Sequence, residues 1–279
     1  MTQRILVLSG GAQSGKSSTA NFLVGLEMVS LGLIEYAKLN EQGELLVPSD
    51  EGQGVLDLSR RDSEFVDWMG ENVWPAIKVY SFADILKQTV CIDILGLTHE
   101  QCYGTNEHKN SLTHLKWEDM PGYKKGKNSK TGQMTGREVM EYVGSDIFRA
   151  MYPDVWAEST YNRIAKEGSG TAIIQDGRYP NEILNGKRRN AKSLRFTKLL
   201  EERSSHTSEI ALDKDNFDWT NFDGVIDNVN MSLEDKNEAV FDLLKGWGFI
   251  DAELFDASKI SVEEENVPAI VSPVHHAVA

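Results

Sequence analysis

Cysteine is scarce in this sequence of 279 residues, where Cys91 and Cys102 are the two copies. Two cysteines are too few for a disulfide framework, and no Cys or His pair has the close spacing of a zinc site. Basic residues are also under-represented, with 29 against 43 acidic ones and a formal net charge of −14. An acidic surface repels nucleic-acid phosphates, so we expect no nucleic-acid partner, and any anionic ligand needs a local basic pocket.

Long apolar runs are absent as well. No run approaches the roughly 20 residues that span a bilayer, so we expect no membrane partner. The N-terminus passes from Arg4 directly into the short apolar segment 5–8, without the long apolar stretch and cleavage site of a signal peptide. These features predict a cytoplasmic protein.

Short apolar segments alternate with helical patterns along the chain. The segments that predict strands are residues 5–8, 78–82, 171–176, 194–199 and 225–226. Helical patterns begin near Ser17, Asp84, Thr135 and Ser232, with a capping-box sequence at Thr135. This alternation predicts an α/β fold, with a parallel sheet flanked by helices, within a domain of residues 1–250.

Three stretches depart from the alternation. Residues 35–47 carry a hairpin pattern, with the turn at residues 40–43. Residues 105–135 are predicted to form a mobile lid or a loop on the acceptor side, because six basic and two acidic residues lie between positions 116 and 137. The acidic stretch 251–279 is predicted to be a loosely attached or disordered C-terminal tail.

The segment from Gly10 to Ser17, called the phosphate loop below, matches the pattern G-x-x-x-x-G-K-[ST] between a predicted strand and a predicted helix. Its glycines let successive amides point at one centre, and the helix N-terminus adds partial positive charge. The motif predicts that Lys16 reaches the β- and γ-phosphates of ATP and that Ser17 ligates Mg²⁺. The predicted nucleotide-binding residues are Gly10, Gly11, Ala12, Gln13, Ser14, Gly15, Lys16, Ser17 and Ser18.

Asp176 ends a predicted strand, where α/β sheets present ligand-binding residues. It is a candidate catalytic residue that would hold a magnesium-bound water, and the alternative is a cap on the turn before Pro180. Arg178 is a candidate for bidentate contact with the transferred or acceptor phosphate, positioned by Glu182. The alternative for Arg178 is an ordinary surface salt bridge.

Arginines and lysines elsewhere are candidates for binding the acceptor. Arg137 and Arg149 lie twelve positions apart in a predicted helix and would clamp the acceptor phosphate from one side, unless each is a solvated surface charge. Four lysines would belong to the lid or to a solvated loop, and they are Lys109, Lys124, Lys125 and Lys127.

Two polar groups near the end of the domain have open roles. His206, with Arg203 and Glu209, has no serine in a G-x-S-x-G elbow to activate, so we expect a structural or nucleotide-contacting role. Asp227 and Asn228 either close the ATP base site or form an Asx turn.

Taken together and in order, these motifs resemble those of the bacteriophage deoxynucleoside monophosphate kinases. The motifs are the phosphate loop, Tyr80-Ser81-Phe82-Ala83-Asp84 with Lys87, Thr135-Gly136-Arg137 with Gly144-Ser145-Asp146, Asp176-Gly177-Arg178 with Glu182, and His206 with Glu209. The resemblance covers about residues 4–30 and 78–247. Two departures are Ile85, where relatives often have proline, and residues 34–76, which compact members lack.

The resemblance implies an adenylate-kinase-like core, ATP and Mg²⁺ as cofactors, deoxynucleoside 5′-monophosphates as acceptors, and a location in the host-cell cytoplasm. It also implies that Lys87, Arg137 and Arg178 contact the acceptor phosphate or the transition state. Asp146 would act as a positioning group in the acceptor pocket. The inserted segment would alter acceptor choice or build a homodimer contact.

Three other functions are compatible with the phosphate loop. One is a different small-molecule kinase, such as one similar to dephospho-coenzyme A kinases. Another is a nucleotide-switch or assembly ATPase, which would hydrolyse ATP without an acceptor. The third is a non-catalytic nucleotide-binding module, against which the intact pair of Lys16 and Ser17 argues.

Overall fold

The computed structural model describes residues 3–49, 52–124, 130–199, 210–251, 253–255 and 257–262. The strands are β1 Arg4–Ser9, β2 Ala37–Leu39, β3 Leu45–Ser49, β4 Gly52–Val55, β5 Ile77–Tyr80, β6 Leu112–Lys116, β7 Gln133–Thr135, β8 Thr171–Gly177, β9 Lys192–Phe196, β10 Gly224–Ile226 and β11 Ile260–Val262. The α-helices are α1 Lys16–Ser30, α2 Ser63–Asn72, α3 His99–Tyr103, α4 Asn106–Lys109, α5 Gly136–Glu141, α6 Val155–Glu167, α7 Pro180–Arg188 and α8 Leu233–Gly246.

Two further helical segments wind as π-helices, at Ile85–Ile94 and Tyr142–Arg149. Single 3₁₀ turns occur at Trp117–Asp119, Trp219–Asn221 and Ala257–Lys259. The chain divides into two compact units. The first comprises the described residues up to Tyr80 and from Ile164 onward, and the second comprises residues 81–163.

A five-stranded sheet forms the centre of the first unit. Its order is β10-β9-β1-β8-β5, and all neighbouring strands are parallel. The apolar residues Leu6, Val7 and Leu8 of the central strand β1 have no exposed surface, as expected for a strand covered on both faces. The prediction of a mixed α/β fold with a parallel sheet flanked by helices is confirmed, and all five predicted strands belong to this sheet.

A second sheet of the first unit has the order β11-β2-β3-β4. Strands β2 and β3 are antiparallel, and the turn between them is closed by a hydrogen bond from the Gly43 amide to the Asn40 carbonyl, 2.8 Å. The predicted hairpin is therefore present. The apolar side chains of segment 34–76 join the same core as those of α1, so this segment packs as part of the first unit.

The prediction of a loosely attached tail is wrong for its first part. Phe255 is 9% exposed and belongs to the core around α1, and β11 pairs in parallel with β2. The acidic composition of this stretch suggested disorder. The stretch nevertheless contains the apolar side chains of Phe255 and Ile260, which contact the core. Residues 263–279 lie outside the described residues.

The second unit has its own apolar core. Buried side chains of this core include both cysteines, and the Cys91 thiol has a raised pKa because it is hydrogen-bonded with Cys102 and buried. The predicted capping box is confirmed, since Glu138 N donates to Thr135 Oγ1 at 3.2 Å and Thr135 N donates to Glu138 Oε2 at 2.9 Å. The helix predicted to follow Asp84 is present as the first π-helix.

The predicted loop at residues 105–135 is more ordered than its composition indicates. It contains α4 and an antiparallel pair of strands, β6 and β7, with Thr113 Oγ1 donating to the Met134 carbonyl at 2.8 Å. A lid function for this segment stays a prediction, and Lys125 and Lys127 lie outside the described residues. Across the part of the chain that is described, no helix combines the length and apolar character needed to cross a bilayer.

Candidate functional site

The phosphate loop joins the carboxyl end of β1 to the first turn of α1. Gly15 has a φ of +94°, a left-handed conformation that favours glycine, and no side chain caps the helix that follows. The amides of Ser17 and Ser18 have no hydrogen-bond acceptor among the described residues. Uncapped amides at a helix N-terminus can bind anions, so the geometry of this turn is suited to an anionic ligand.

Lys16 lies over the loop that it belongs to. Its Nζ donates to the Gly10 carbonyl at 2.9 Å and also to the Gly11 carbonyl, and the residue is 8% exposed. Ser17 is exposed, and its hydroxyl has no hydrogen-bond partner within the described chain. The lysine would exchange carbonyl oxygens for phosphate oxygens when an anion binds, and the serine hydroxyl is available for a metal ion.

A cavity of about 690 Å³ opens beside the phosphate loop, which is ample for a nucleotide. The lining residues are Gln13, Ser14, Gly15, Lys16, Ser17, Ser18, Glu41, Gln42, Gly43, Lys198, Asn228, Met231, Ser232, Leu233 and Lys236. These described lining residues include three lysines and one glutamate. The cavity is therefore a local cationic pocket in an acidic chain, as the composition required of any anion site.

Lys236 was not singled out in the sequence, although its helix α8 was predicted. It is 3% exposed, and its Nζ donates to Ser18 Oγ at 2.6 Å and to the Gly15 carbonyl at 3.3 Å. Burial, together with the nearby charge of Lys198, lowers its pKa to about 7. Within the described residues no carboxylate forms an ion pair with it.

Asn228 links the phosphate loop to the segment that follows strand β9. Its Nδ2 donates to the Ser14 carbonyl at 2.9 Å, and its Oδ1 accepts from the Lys198 amide at 3.0 Å. The residue is 4% exposed. Neither sequence expectation for Asn228, a base contact or an Asx turn, describes this role, which is to hold the phosphate loop in place.

The tip of the β2–β3 hairpin forms another wall of the cavity. Asn21 Nδ2 of α1 donates to the Gly43 carbonyl at 2.8 Å. A Cβ at Gly43 would lie 2.2 Å from the Ser18 Cβ, so the hairpin touches the first turn of α1. Segment 34–76, expected to affect acceptor choice or dimerisation, thus supplies residues to the phosphate-loop cavity.

Asp176 lies at the carboxyl end of β8, directly beside β1 in the sheet. The register pairs Ser9 with Gly177, so Asp176 and the phosphate loop share one edge of the sheet. Parallel α/β sheets bind ligands at this edge. The placement agrees with the predicted role of Asp176 near a bound metal, and that role stays a prediction.

Glu182 contacts the backbone of Arg178, the residue that it was predicted to position. It is 2% exposed, and its Oε2 accepts from the amides of Arg178 at 2.8 Å and Tyr179 at 3.0 Å. The carboxylate therefore caps the start of α7 and fixes the backbone from which the Arg178 side chain extends. The phosphate contact predicted for Arg178 is not tested by this geometry.

Arg195 is a second residue that the sequence analysis missed. It is 4% exposed at the carboxyl end of β9, and its Nη1 donates to Ser9 Oγ at 2.9 Å. Its guanidinium also lies 5.3 Å from the Trp219 ring centroid. The sequence could have indicated Arg195, because it lies within the short strand Lys192–Phe196 and a buried charged residue needs partners in the interior.

The remaining acceptor candidates all lie in the second unit. Arg137 donates through Nε to Asn110 Oδ1 at 3.1 Å and through Nη2 to Asn106 Oδ1 at 2.9 Å. Lys87 Nζ lies 4.8 Å from the Tyr103 ring centroid. Both cations are half-buried and held by neutral partners in these contacts, which leaves their charge to act on an anion.

Asp146 and Arg149 lie on the π-helix Tyr142–Arg149, Asp146 exposed and Arg149 half-buried. The chain winds as an α-helix only as far as Glu141, so the α-helical spacing used to place Arg137 and Arg149 on one side does not extend to Arg149. Their joint action on an acceptor stays a prediction.

The residues at the phosphate loop fit a Mg²⁺ ion. Within the described residues no group of three or more His, Cys, Asp or Glu side chains is suited to a metal. A magnesium ion at a phosphate loop takes most ligands from phosphates and water, so the exposed Ser17 hydroxyl is a sufficient protein ligand. Arg203, His206 and Glu209 lie outside the described residues, so their predicted role is untested.

Comparison with known proteins adds no family assignment. No protein-family model matches the chain, and a search among curated proteins gives no significant match.

Proposed function

We propose that the chain is an ATP-dependent kinase that phosphorylates deoxynucleoside 5′-monophosphates to diphosphates for nucleotide supply. The observation that carries the proposal is the lysine-lined cavity of about 690 Å³ at an uncapped helix N-terminus, on the carboxyl edge of a parallel sheet. This supports binding of a polyphosphate. The choice of acceptor rests on the motif resemblance.

The donor would be held by the phosphate loop. The free amides of Ser17 and Ser18 would donate hydrogen bonds to phosphate oxygens, and Lys16 would turn from the Gly10 carbonyl to the β- and γ-phosphates. Mg²⁺, when bound, would be held by Ser17 and the phosphates, with Asp176 contacting its water, and would offset charge on the phosphates. The chain itself supplies orientation and positive charge.

The acceptor needs charge neutralisation more than proton removal. A phosphate monoester has a second pKa of about 6, so it is already a nucleophile near neutral pH and requires no general base. Lys87, Arg137, Arg149 and Arg178 are the cations that the sequence offers for this neutralisation, since two anions repel each other without such cations. Asp146 would position the acceptor nucleoside.

Replacing Lys16 tests the donor site. Lys16→Ala is expected to lower the rate of phosphate transfer by about 100-fold or more, because it removes charge stabilisation from the transferring group. The fold should persist, since the hydrogen bonds from Lys16 to the Gly10 and Gly11 carbonyls lie within its own loop. ADP formation and thermal unfolding would be measured together. Lys245→Ala, on an exposed part of α8, is the control.

Acceptor-dependent ADP formation tests the reaction class. The assay would contain each deoxynucleoside monophosphate, its ribonucleotide counterpart, dephospho-coenzyme A, or no acceptor. Stimulation by one or more deoxynucleoside monophosphates is expected. Stimulation by dephospho-coenzyme A alone would indicate a different small-molecule kinase, and equal ADP release without an acceptor would indicate an ATPase.

A further inference from the structure

Lys236 is a charged residue in a costly position. The residue is 3% exposed. Within the described residues its ammonium group donates hydrogen bonds to a hydroxyl and a carbonyl, and it contacts no carboxylate. Burial of an ammonium group without a counter-charge is unfavourable. Since no described residue supplies the counter-charge, a bound anion is the candidate for it.

The cavity shows where that counter-charge would lie. Lys236 lines the same cavity as Lys16, and the two ammonium groups contact different ends of the phosphate loop. Lys16 lies on the carbonyls of Gly10 and Gly11, at the end near β1. Lys236 lies on Gly15 and Ser18, at the end that enters α1.

The two lysines would contact different phosphates of a bound polyphosphate. In a phosphate loop the motif lysine reaches the β- and γ-phosphates, while the amides at the start of the helix hold the α- and β-phosphates. The ammonium of Lys236 lies 2.6 Å from Ser18 Oγ, on the residue whose free amide faces this second end. Its position therefore matches the phosphate nearest the nucleoside.

We propose that Lys236 is a second phosphate-binding lysine, which contacts the α-phosphate of the nucleotide donor while Lys16 contacts the terminal phosphates. The assignment rests on the proposed function, because it requires that a nucleotide occupies the cavity. It also gives α8 a part in the donor site. A purely structural lysine would instead bond Ser18 and Gly15 whether or not nucleotide is present.

Calorimetric titration with ATP and with ADP tests the assignment in the full-length protein. Lys236→Met keeps the length of the side chain and removes its charge, and Lys245→Met, an exposed lysine on the same helix, is the matched control. The expected result is a loss of about ten-fold or more in affinity for both nucleotides alike, since both carry an α-phosphate. Lys245→Met should bind as the wild type does.

Each other outcome has a distinct meaning. Wild-type protein that binds neither nucleotide overturns the proposed function itself. Wild-type binding with unchanged affinity in Lys236→Met overturns the inference alone. A loss confined to ATP overturns the α-phosphate assignment, because it places the ammonium at the γ-phosphate.

A second measurement covers the case in which Lys236→Met does not fold. Acylation of amines in the wild-type protein, read by mass spectrometry, would compare Lys236 with and without nucleotide. Equal protection of Lys236 by ATP and ADP supports the inference, with Lys245 as the unprotected reference. Absence of protection while both nucleotides bind overturns it.

Discussion

Three lysine side chains line the phosphate-loop cavity of a chain with a formal net charge of −14. The net charge acts on the whole molecule, whereas a bound phosphate responds to charges within a few ångströms. Lys16 and Lys236 are buried, and their fields are therefore screened by water far less than those of surface lysines. A strongly acidic protein can thus hold a strongly anionic ligand.

The pH dependence of stability follows from Lys236. Unfolded lysine keeps its proton up to its ordinary pKa of 10.5, whereas burial and Lys198 lower the pKa of folded Lys236 to about 7. Between these values the unfolded state binds more protons, so this residue makes the free energy of unfolding rise as pH increases. Below pH 7 both states are protonated, and the cost of the buried charge is present in full.

Lys236→Met should remove that contribution. Urea unfolding of the nucleotide-free protein would be measured from pH 7 to pH 10, and the variant should gain less stability over this range than the wild type. The difference between the two proteins isolates Lys236 from the other ionisable residues that line the cavity, which are Lys16, Lys198 and Glu41. Equal slopes in the two proteins would show that the Lys236 pKa is not lowered by folding.

At the scale of elements, the β2–β3 hairpin and the chain end around β11 both pack against α1. The hairpin brings Gly43 onto Ser18, and β11 brings Ile260 to within 3.6 Å of the Cβ position of Gly25. Helix α1 carries the first turn that would bind phosphate. The second sheet therefore supports the helix whose N-terminus forms the candidate site.

Substitution of Gly43 tests the hairpin contact. Gly43→Ala combines an unfavourable φ of +77° with a clash against Ser18, whereas Gly32→Ala has a similar φ of +71° and no atom within 4 Å. Gly32→Ala should cost about 1 kcal/mol, and Gly43→Ala about 1–3 kcal/mol more, by urea unfolding. ATP affinity should fall only in the Gly43 variant. Equal effects of the two substitutions would argue against tight packing at the hairpin tip.

Substitution of Phe255 tests the placement of the chain end. Phe255→Ala should lower the free energy of unfolding by about 3–5 kcal/mol, because the ring is buried in the main core. Its neighbour Leu254 is 68% exposed, so Leu254→Ala should change stability by no more than about 0.5 kcal/mol. A Phe255 variant as stable as the Leu254 variant would restore the prediction of a loosely attached tail.

For the whole molecule, local patterns were predictive and distant pairings were not. The phosphate loop, five parallel strands, the hairpin and the capping box at Thr135 follow from residues close together in sequence. Lys236 contacts Ser18 across 218 positions, and β11 joins β2 from the opposite end of the chain. No local pattern encodes such contacts, because they depend on how separate elements pack.

Composition was the least reliable guide. The acidic stretch after residue 250 and the Gly- and Ser-rich stretch after residue 116 both suggested loose chain, yet β11 and β7 occur in them. In each case a few apolar side chains, such as Phe255 and Met134, determine the structure by entering a core. The average polarity of a stretch of sequence does not show which single residues in it are buried.

The position of β1 in its sheet has a consequence for how the protein is made. This strand leaves the ribosome first among the sheet strands, but its two neighbours, β8 and β9, are not complete until residues 177 and 196. At typical rates of translation the delay is on the order of ten seconds or more. During that time an apolar segment and the unformed phosphate loop await their partners, so nascent chains should depend on chaperones and should not retain nucleotide until synthesis is nearly finished.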